Sequence, residues 1–128
     1  MAKPLTILVV DDEPRIRLAL EYNLRRDGFA VHTAEDGFEG LKKARRIRPD
    51  LILLDWMMPD MDGIEVLRKL RERKETERIP VFMCTAKGTV GDVDRGYGEG
   101  ATYYITKPFD IWSLGRTLRE RLAEAGRT

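Results

Sequence analysis

The chain is predicted to adopt an α/β fold with a parallel sheet, because strand-like and helical stretches alternate along it five times. Short apolar runs such as Ile7-Leu8-Val9-Val10, Leu51-Ile52-Leu53-Leu54 and Val81-Phe82-Met83-Cys84 have strand length and almost no polar interruption. Strands covered on both faces read this way. Between them, apolar residues recur every three or four positions, the period of a helix with one buried face.

The first strand covers about Leu5 to Val10 and ends on Asp11-Asp12. A helix begins near Pro14, a favoured first-turn residue preceded by acids that suit a helix N-terminus. Its inward stripe is Ile16, Ala19, Leu20, Asn23 and Leu24, and Gly28 ends it. The second strand, Phe29 to Ala34, is less apolar and contains His32, which suits a sheet edge. Asp36 is a candidate cap for the second helix, whose expected inward stripe is Phe38, Leu41, Ala44 and Ile47. Pro49-Asp50 breaks the chain before the third strand, which runs from Leu51 to the carboxylate of Asp55.

After the loop from Trp56 to Gly63, the third helix turns Ile64, Leu67 and Leu70 inward. The fourth strand follows Pro80 and ends on Thr85. The fourth helix should begin near Thr89 and be the weakest element, since Gly88, Gly91, Gly96, Gly98 and Gly100 crowd it. Each glycine inside a helix costs about 1 kcal/mol relative to alanine. The fifth strand, Tyr103 to Thr106, leads into Lys107-Pro108, and the last helix carries Ile111, Leu114, Leu118 and Leu122 at spacings of three and four. The tail from Glu124 to Thr128 reads as a terminus or the start of a linker.

The 128 residues are expected to form one domain, residues 1–128, with a single buried core. With 23 basic against 22 acidic residues the formal charge is +1, so the composition carries no nucleic-acid footprint. No apolar run approaches the roughly 20 residues that span a bilayer, and Met1-Ala2-Lys3-Pro4 leads into a strand without a signal peptide. Cys84, the single cysteine, excludes a disulfide framework and reads as a small buried hydrophobe. A cytoplasmic location is expected.

Chemistry concentrates at the strand ends. Four of them present an acid pair (Asp11, Asp12), an acid (Asp55), a hydroxyl (Thr85) and a cation (Lys107). In an open parallel sheet the C-terminal ends of the strands form the ligand crevice. A carboxylate attacks phosphate only when like-charge repulsion is relieved, and a hard divalent cation held by oxygen ligands relieves it. Asp11 and Asp12 can supply such ligands beside Asp55, while Lys107 offers a compact charge and Thr85 a hydrogen bond to phosphoryl oxygens. Seen singly, an Asp-Asp pair is often only a helix cap, and a strand-end threonine or lysine only closes a turn or meets solvent. Their joint placement favours phosphoryl transfer, which consists mostly of positioning and charge stabilisation.

With those residues in place, the chain resembles the receiver domain of two-component response regulators. The resemblance rests on Val9-Val10-Asp11-Asp12-Glu13-Pro14, Leu53-Leu54-Asp55-Trp56-Met57-Met58-Pro59, Met61-Asp62-Gly63, Thr85-Ala86, and Gly100-Ala101 through Lys107-Pro108-Phe109. These stand in the family's order and cover about residues 5 to 125. The likeness implies a flavodoxin-like three-layer sandwich of five βα units, with sheet order 2-1-3-4-5. It further implies that Asp55 accepts a phosphoryl group from the phosphohistidine of a sensor histidine kinase or a histidine phosphotransfer protein. Mg²⁺, with Mn²⁺ as a substitute, would be bound by Asp12, Asp55 and the Met57 carbonyl, and by Asp11 through water. Thr85 and Lys107 would hold the phosphoryl group, the Lys107–Pro108 peptide would be cis, and Tyr104 would turn inward as Thr85 moves. Output would be read from the fourth helix, fifth strand and fifth helix, to an effector the sequence does not name.

Where receivers that dimerise through that face carry two acids, this chain has Thr102 and Tyr103, and Thr117 replaces an arginine. A phosphorylation-dependent dimer is therefore not expected to use the family's usual salt bridges. Met57 and Lys87 occupy positions flanking the site, where they bear on phosphate lifetime in either direction. On the last helix, Trp112 falls off the buried stripe with Arg116 and Arg119 on its side, a candidate docking anchor.

Three other readings compete. A phosphatase resembling the haloacid dehalogenases would place its nucleophile after the first strand in an Asp-x-Asp pattern, usually with a cap domain, whereas here that strand ends Asp-Asp-Glu-Pro. A flavin module of the same sheet order is opposed by acidic strand ends facing a phosphate-bearing cofactor. A phosphohistidine module would rest on His32, the sole histidine, which lies in a strand pattern.

Overall fold

The computed structural model describes residues 3–126, so the N-terminal Met1-Ala2 and the Arg127-Thr128 end of the expected tail lie outside the described residues. Five strands and five helices alternate: β1 (Thr6–Val10), α1 (Pro14–Arg26), β2 (Ala30–Ala34), α2 (Gly37–Ile47), β3 (Leu51–Leu54), α3 (Gly63–Arg71), β4 (Val81–Thr85), α4 (Val90–Gly98), β5 (Tyr103–Thr106) and α5 (Ile111–Glu124). All pairings are parallel and the sheet order is β2-β1-β3-β4-β5, the flavodoxin-like arrangement implied by the resemblance. β2 is an edge strand and His32 is exposed on it, as expected.

Alternation along the strands divides the core into two layers. Ile7, Val9, Leu51, Leu53, Phe82 and Cys84 face α1 and α5, where they meet Leu20, Leu24, Leu114, Leu118 and Leu122. Leu8, Val10, Ile52, Leu54, Val81 and Met83 face the other way, against Ala44, Ile64, Leu67 and Leu70. Burial of each such aliphatic side chain stabilises the fold by about 1.5–3 kcal/mol. Burial pushes the Cys84 thiol up to about 12, which leaves it a neutral core residue.

Side chains cap four of the five helix starts, Asp36 among them as expected. Asp36 accepts from Glu39 N at 2.8 Å and Asp62 from Glu65 N at 3.0 Å. Thr89 and Asp92 form a reciprocal capping box that offsets part of the glycine cost in α4.

One stripe is different from that expected. Phe38 is 59% exposed, and Ile47 is only half-buried. The positions of α2 that bury completely are Gly37, Gly40 and Ala44. A Cβ on Gly37 would lie 2.7 Å from Val66 Cγ2, and one on Gly40 would lie 3.0 Å from Val10 Cγ1. Helix α2 therefore meets α3 and the sheet through bare backbone, which rotates Phe38 outward.

Candidate functional site

Each expected site residue lies at the C-terminal edge of the sheet. Asp11 follows β1, Asp55 follows β3, Thr85 ends β4 and Lys107 follows β5. Because β1, β3, β4 and β5 stand in consecutive order in a parallel sheet, their C-terminal ends lie along one edge. Lys107 Nζ donates to Asp11 Oδ2 at 2.8 Å and lies 3.3 Å from Asp55 Oδ2. Asp11, Asp55 and Thr85 are buried, at 3%, 5% and 0% exposure, while Asp12 is half-buried at the rim.

The acids are held from behind. Asp11 Oδ1 accepts from Glu13 N at 2.9 Å, and Arg17 Nη1 donates to the Asp11 carbonyl at 2.7 Å. Asp55 Oδ1 accepts from Met57 N at 3.2 Å. Gly63 closes the loop behind Asp55, with its N–H donating to the Trp56 carbonyl at 2.8 Å. A Cβ at Gly63 would come within 2.3 Å of the Asp55 carbonyl oxygen, so only glycine permits α3 to begin there. Asp60 makes the intervening turn at φ 67°, a left-handed conformation that aspartate tolerates.

The electrostatics are those of an overcrowded anionic site. Burial raises the Asp55 carboxyl above the ordinary aspartate value; Lys107 opposes this, Asp11 adds to it, and hydrogen bonds from Thr85 and the Met57 amide oppose it. For Lys107, burial works against the charge, yet the hydrogen bond to Asp11 and the charges of Asp55 and Asp11 leave it above the usual lysine value. Oxygens of Asp11, Asp12 and Asp55 lie within 4.8 Å of one another. Three carboxylates against one ammonium leave an excess of negative charge and a hard oxygen donor set, which fits a divalent cation.

The remaining expected residues are also placed. The Lys107–Pro108 peptide is cis. Met57 is exposed and lies beside the acids on the loop after β3. Tyr104 is already turned inward, 8% exposed, with its hydroxyl donating to the Lys87 carbonyl. Its ring fills the space beside Gly96, where a Cβ would lie 2.8 Å from Tyr104 Cε2. That contact gives one of the crowded glycines of α4 a packing role.

Two arrangements were not legible in the sequence. Trp56 is buried, and two cations stand over its ring, Lys87 Nζ at 4.7 Å and Arg95 Cζ at 5.7 Å. Lys87 thus rests on the residue next to Asp55. At Trp112, which is 72% exposed, the stacking guanidinium is Arg26 from α1 at 4.7 Å. Arg116 and Arg119 line the same surface hollow as Trp112, as expected, but the Arg119 guanidinium stacks on Phe29 at 4.1 Å and donates to the Asp27 carbonyl. No sequence signal pairs residues from helices so far apart in the chain. No helix among the described residues is long and apolar enough to cross a membrane.

Comparison with known proteins agrees with this geometry. Residues 7–119 match the family described as the response regulator receiver domain. The phosphate regulon transcriptional regulatory protein PhoB of Rhizobium meliloti is 42% identical over 119 residues, which cover 93% of this chain and 52% of that protein. The alkaline phosphatase synthesis transcriptional regulatory protein PhoP of Bacillus subtilis is 52% identical over 103 residues, 80% of this chain and 42% of that protein. The chain thus spans about half the length of these curated relatives. Among solved structures, the chemotaxis response regulator CheY4 of Vibrio cholerae superposes with a TM-score of 0.87 at 34% identity, covering 93% of this chain and 99% of that one. The acid cluster, its lysine and the sheet that gathers them are those of a signalling module, and the chain belongs to the response regulator receiver domain family of two-component systems.

Proposed function

We propose that Asp55 is the phosphoacceptor of a cytoplasmic receiver, that residues 1–128 constitute that receiver as one domain, and that a sensor histidine kinase or histidine phosphotransfer protein is the donor. The observation that carries this reading is Lys107 Nζ lying 2.8 Å from Asp11 and 3.3 Å from Asp55, beside a third carboxylate, Asp12. An oxygen of Asp55 bonds to phosphorus as the P–N bond to the donor imidazole breaks, and the imidazole leaves with a proton from water. Lys107 and Thr85 hold the phosphoryl oxygens as they leave the donor. Mg²⁺, or Mn²⁺ in its place, supplies charge neutralisation when held by Asp12, Asp55 and the Met57 carbonyl, with Asp11 acting through water. Reversal is slow hydrolysis, in which water attacks phosphorus and restores the Asp55 carboxylate.

The switch consists of Thr85, Tyr104 and Pro108, read from the face of α4, β5 and α5 by an effector of unspecified kind. The relatives' names make transcriptional control one candidate output, carried by segments other than these residues. Thr102, Tyr103 and Thr117 argue against the usual salt-bridged dimer on this face. An aspartyl phosphatase of haloacid-dehalogenase type is not favoured, because the first strand ends Asp11-Asp12-Glu13-Pro14 where that class has an Asp-x-Asp pattern.

The test is incubation with phosphoramidate and Mg²⁺ followed by intact mass measurement. One phosphoryl group should be added to the wild type and none to Asp55→Asn. Undiminished labelling of that variant overturns the assignment.

A further inference from the structure

Helices α2 and α3 leave a groove on the surface that the acceptor site does not use. It has a volume of about 530 Å³. Its apolar lining is Phe38, Leu41 and Met61, and its rim carries Arg45, Lys69 and Arg73 against the single acid Glu72. We propose that this groove docks an acidic amphipathic helix of a partner protein.

The two walls have matching helical spacing. Phe38, Leu41 and Arg45 stand at i, i+3 and i+7 on α2, while Lys69, Glu72 and Arg73 stand at i, i+3 and i+4 on α3 and just beyond it. Both helices start at the same edge of the parallel sheet, so the groove has a direction. Its apolar end lies near the helix starts, where Gly37 presses against Met61 and Val66. Its cationic end lies at the helix C-termini. From Phe38 to Arg45 the α2 wall extends about 10 Å, or two turns of a docked helix.

Charge complementarity selects the occupant. Among the described residues, none of Arg45, Lys69 and Arg73 takes part in a salt bridge, although Arg25, Lys43, Arg68 and Arg121 on the same molecule all do. Cations in a last turn complement the helix dipole on any side of the helix. That role does not call for a phenylalanine 59% exposed on the same wall. An amphipathic helix with leucines toward Phe38, Leu41 and Met61 and carboxylates toward Arg45, Lys69 and Arg73 satisfies both features. A nucleic-acid backbone would need cations along its whole track, and here they stand at one end with Glu72 among them.

The experiment uses the full chain and a fluorescein-labelled synthetic peptide about four turns long, with leucines at i, i+3 and i+7 flanked by glutamates. Binding is read by anisotropy, and amide chemical shifts locate it. The expected result is saturable binding with shifts confined to α2 and α3, weakened at least tenfold by Phe38→Ala and by the pair Arg45→Glu, Arg73→Glu. Uptake of phosphoryl groups at Asp55 should be unchanged in both variants, which shows them folded and separates this proposal from the assignment of the acceptor. The proposal is overturned by an absence of binding, or by equal binding of the peptide with serines for leucines. It is also overturned if the variants bind as the wild type does, or if an oligothymidylate or phosphatidylglycerol vesicles displace the peptide from the groove.

Discussion

Lys107 Nζ reaches Asp11 at 2.8 Å and Asp55 at 3.3 Å, so one ammonium is divided between two buried carboxylates. Replacing it with methionine removes the main charge that lowers the Asp55 pKa. The Asp55 carboxyl should titrate at higher pH in Lys107→Met, as followed by carboxyl ¹³C shifts. Phosphoryl uptake from phosphoramidate should fall about 10²-fold, the usual cost of deleting one stabilising donor in a transfer site. Unchanged uptake would remove Lys107 from the mechanism.

Asp55 also sets a pH dependence in metal-free protein. Its folded pKa is raised, so the folded state binds this proton more tightly than the unfolded state does. The charged form is therefore a net cost to stability above the folded pKa, and that cost disappears as pH falls through the folded value toward the unfolded one. In chelator, Asp55→Asn should melt higher than the wild type at neutral pH, and the gap should close on acidification. A gap that widens with acid would mean that the carboxylate is stabilised in the fold.

Divalent metal should offset the same cost. At a free Mg²⁺ concentration ten times Kd, linkage gives about 1.4 kcal/mol, or roughly 4–7 °C in melting temperature for a chain of this size. Asp12→Ala should lose most of that increment, since Asp12 contributes one of the three clustered carboxylates. Calorimetry with and without the ion measures it directly.

Gly63→Ala should be severely destabilising, by about 3 kcal/mol or more, because the new methyl would meet the Asp55 carbonyl and the Trp56 backbone at once. Urea denaturation provides the comparison. A small effect would mean that the start of α3 shifts freely.

Switching should be visible by amide exchange. Saturation with beryllofluoride and Mg²⁺ should change exchange most between Thr85 and Trp112, with little response in α1 and α2. Tyr104→Phe deletes the hydrogen bond to the Lys87 carbonyl. It should speed exchange around Lys87 about fivefold, the worth of one hydrogen bond at about 1 kcal/mol. A response confined to α1 and α2 would place the output surface elsewhere.

The strands and the convergence of Asp11, Asp55, Thr85 and Lys107 at their ends were legible because their determinants are local or positional. A run such as Leu51–Leu54 has strand length and no polar face, which suits a sheet covered on both sides, and Asp55 follows it into the crevice. Phe38 was misplaced because a hydrophobic stripe counts side chains, whereas α2 packs through Gly37 and Gly40, which have none. The cations over Trp56 and Trp112 were invisible for a different reason. Lys87, Arg95 and Arg26 are ordinary surface types in sequence, and only tertiary packing decides which aromatic face each covers.

Arg71, at the end of α3, donates to the carbonyls of Glu77 and Ile79 and, with both Nε and Nη2, to that of Gly100. Arg68 pairs with Glu99 one residue earlier. The far end of α4 is thereby riveted to the body, while its first turn, at Val90, stands in solvent. A rod fixed at one end moves as a lever. Across the roughly 12 Å of α4, a swing of about 10° carries the free end some 2 Å and leaves the fulcrum at Gly100 in place. Any partner that reads α4 through such a swing would gain the most discrimination by gripping it near the exposed Val90, and the least by gripping it near Glu99.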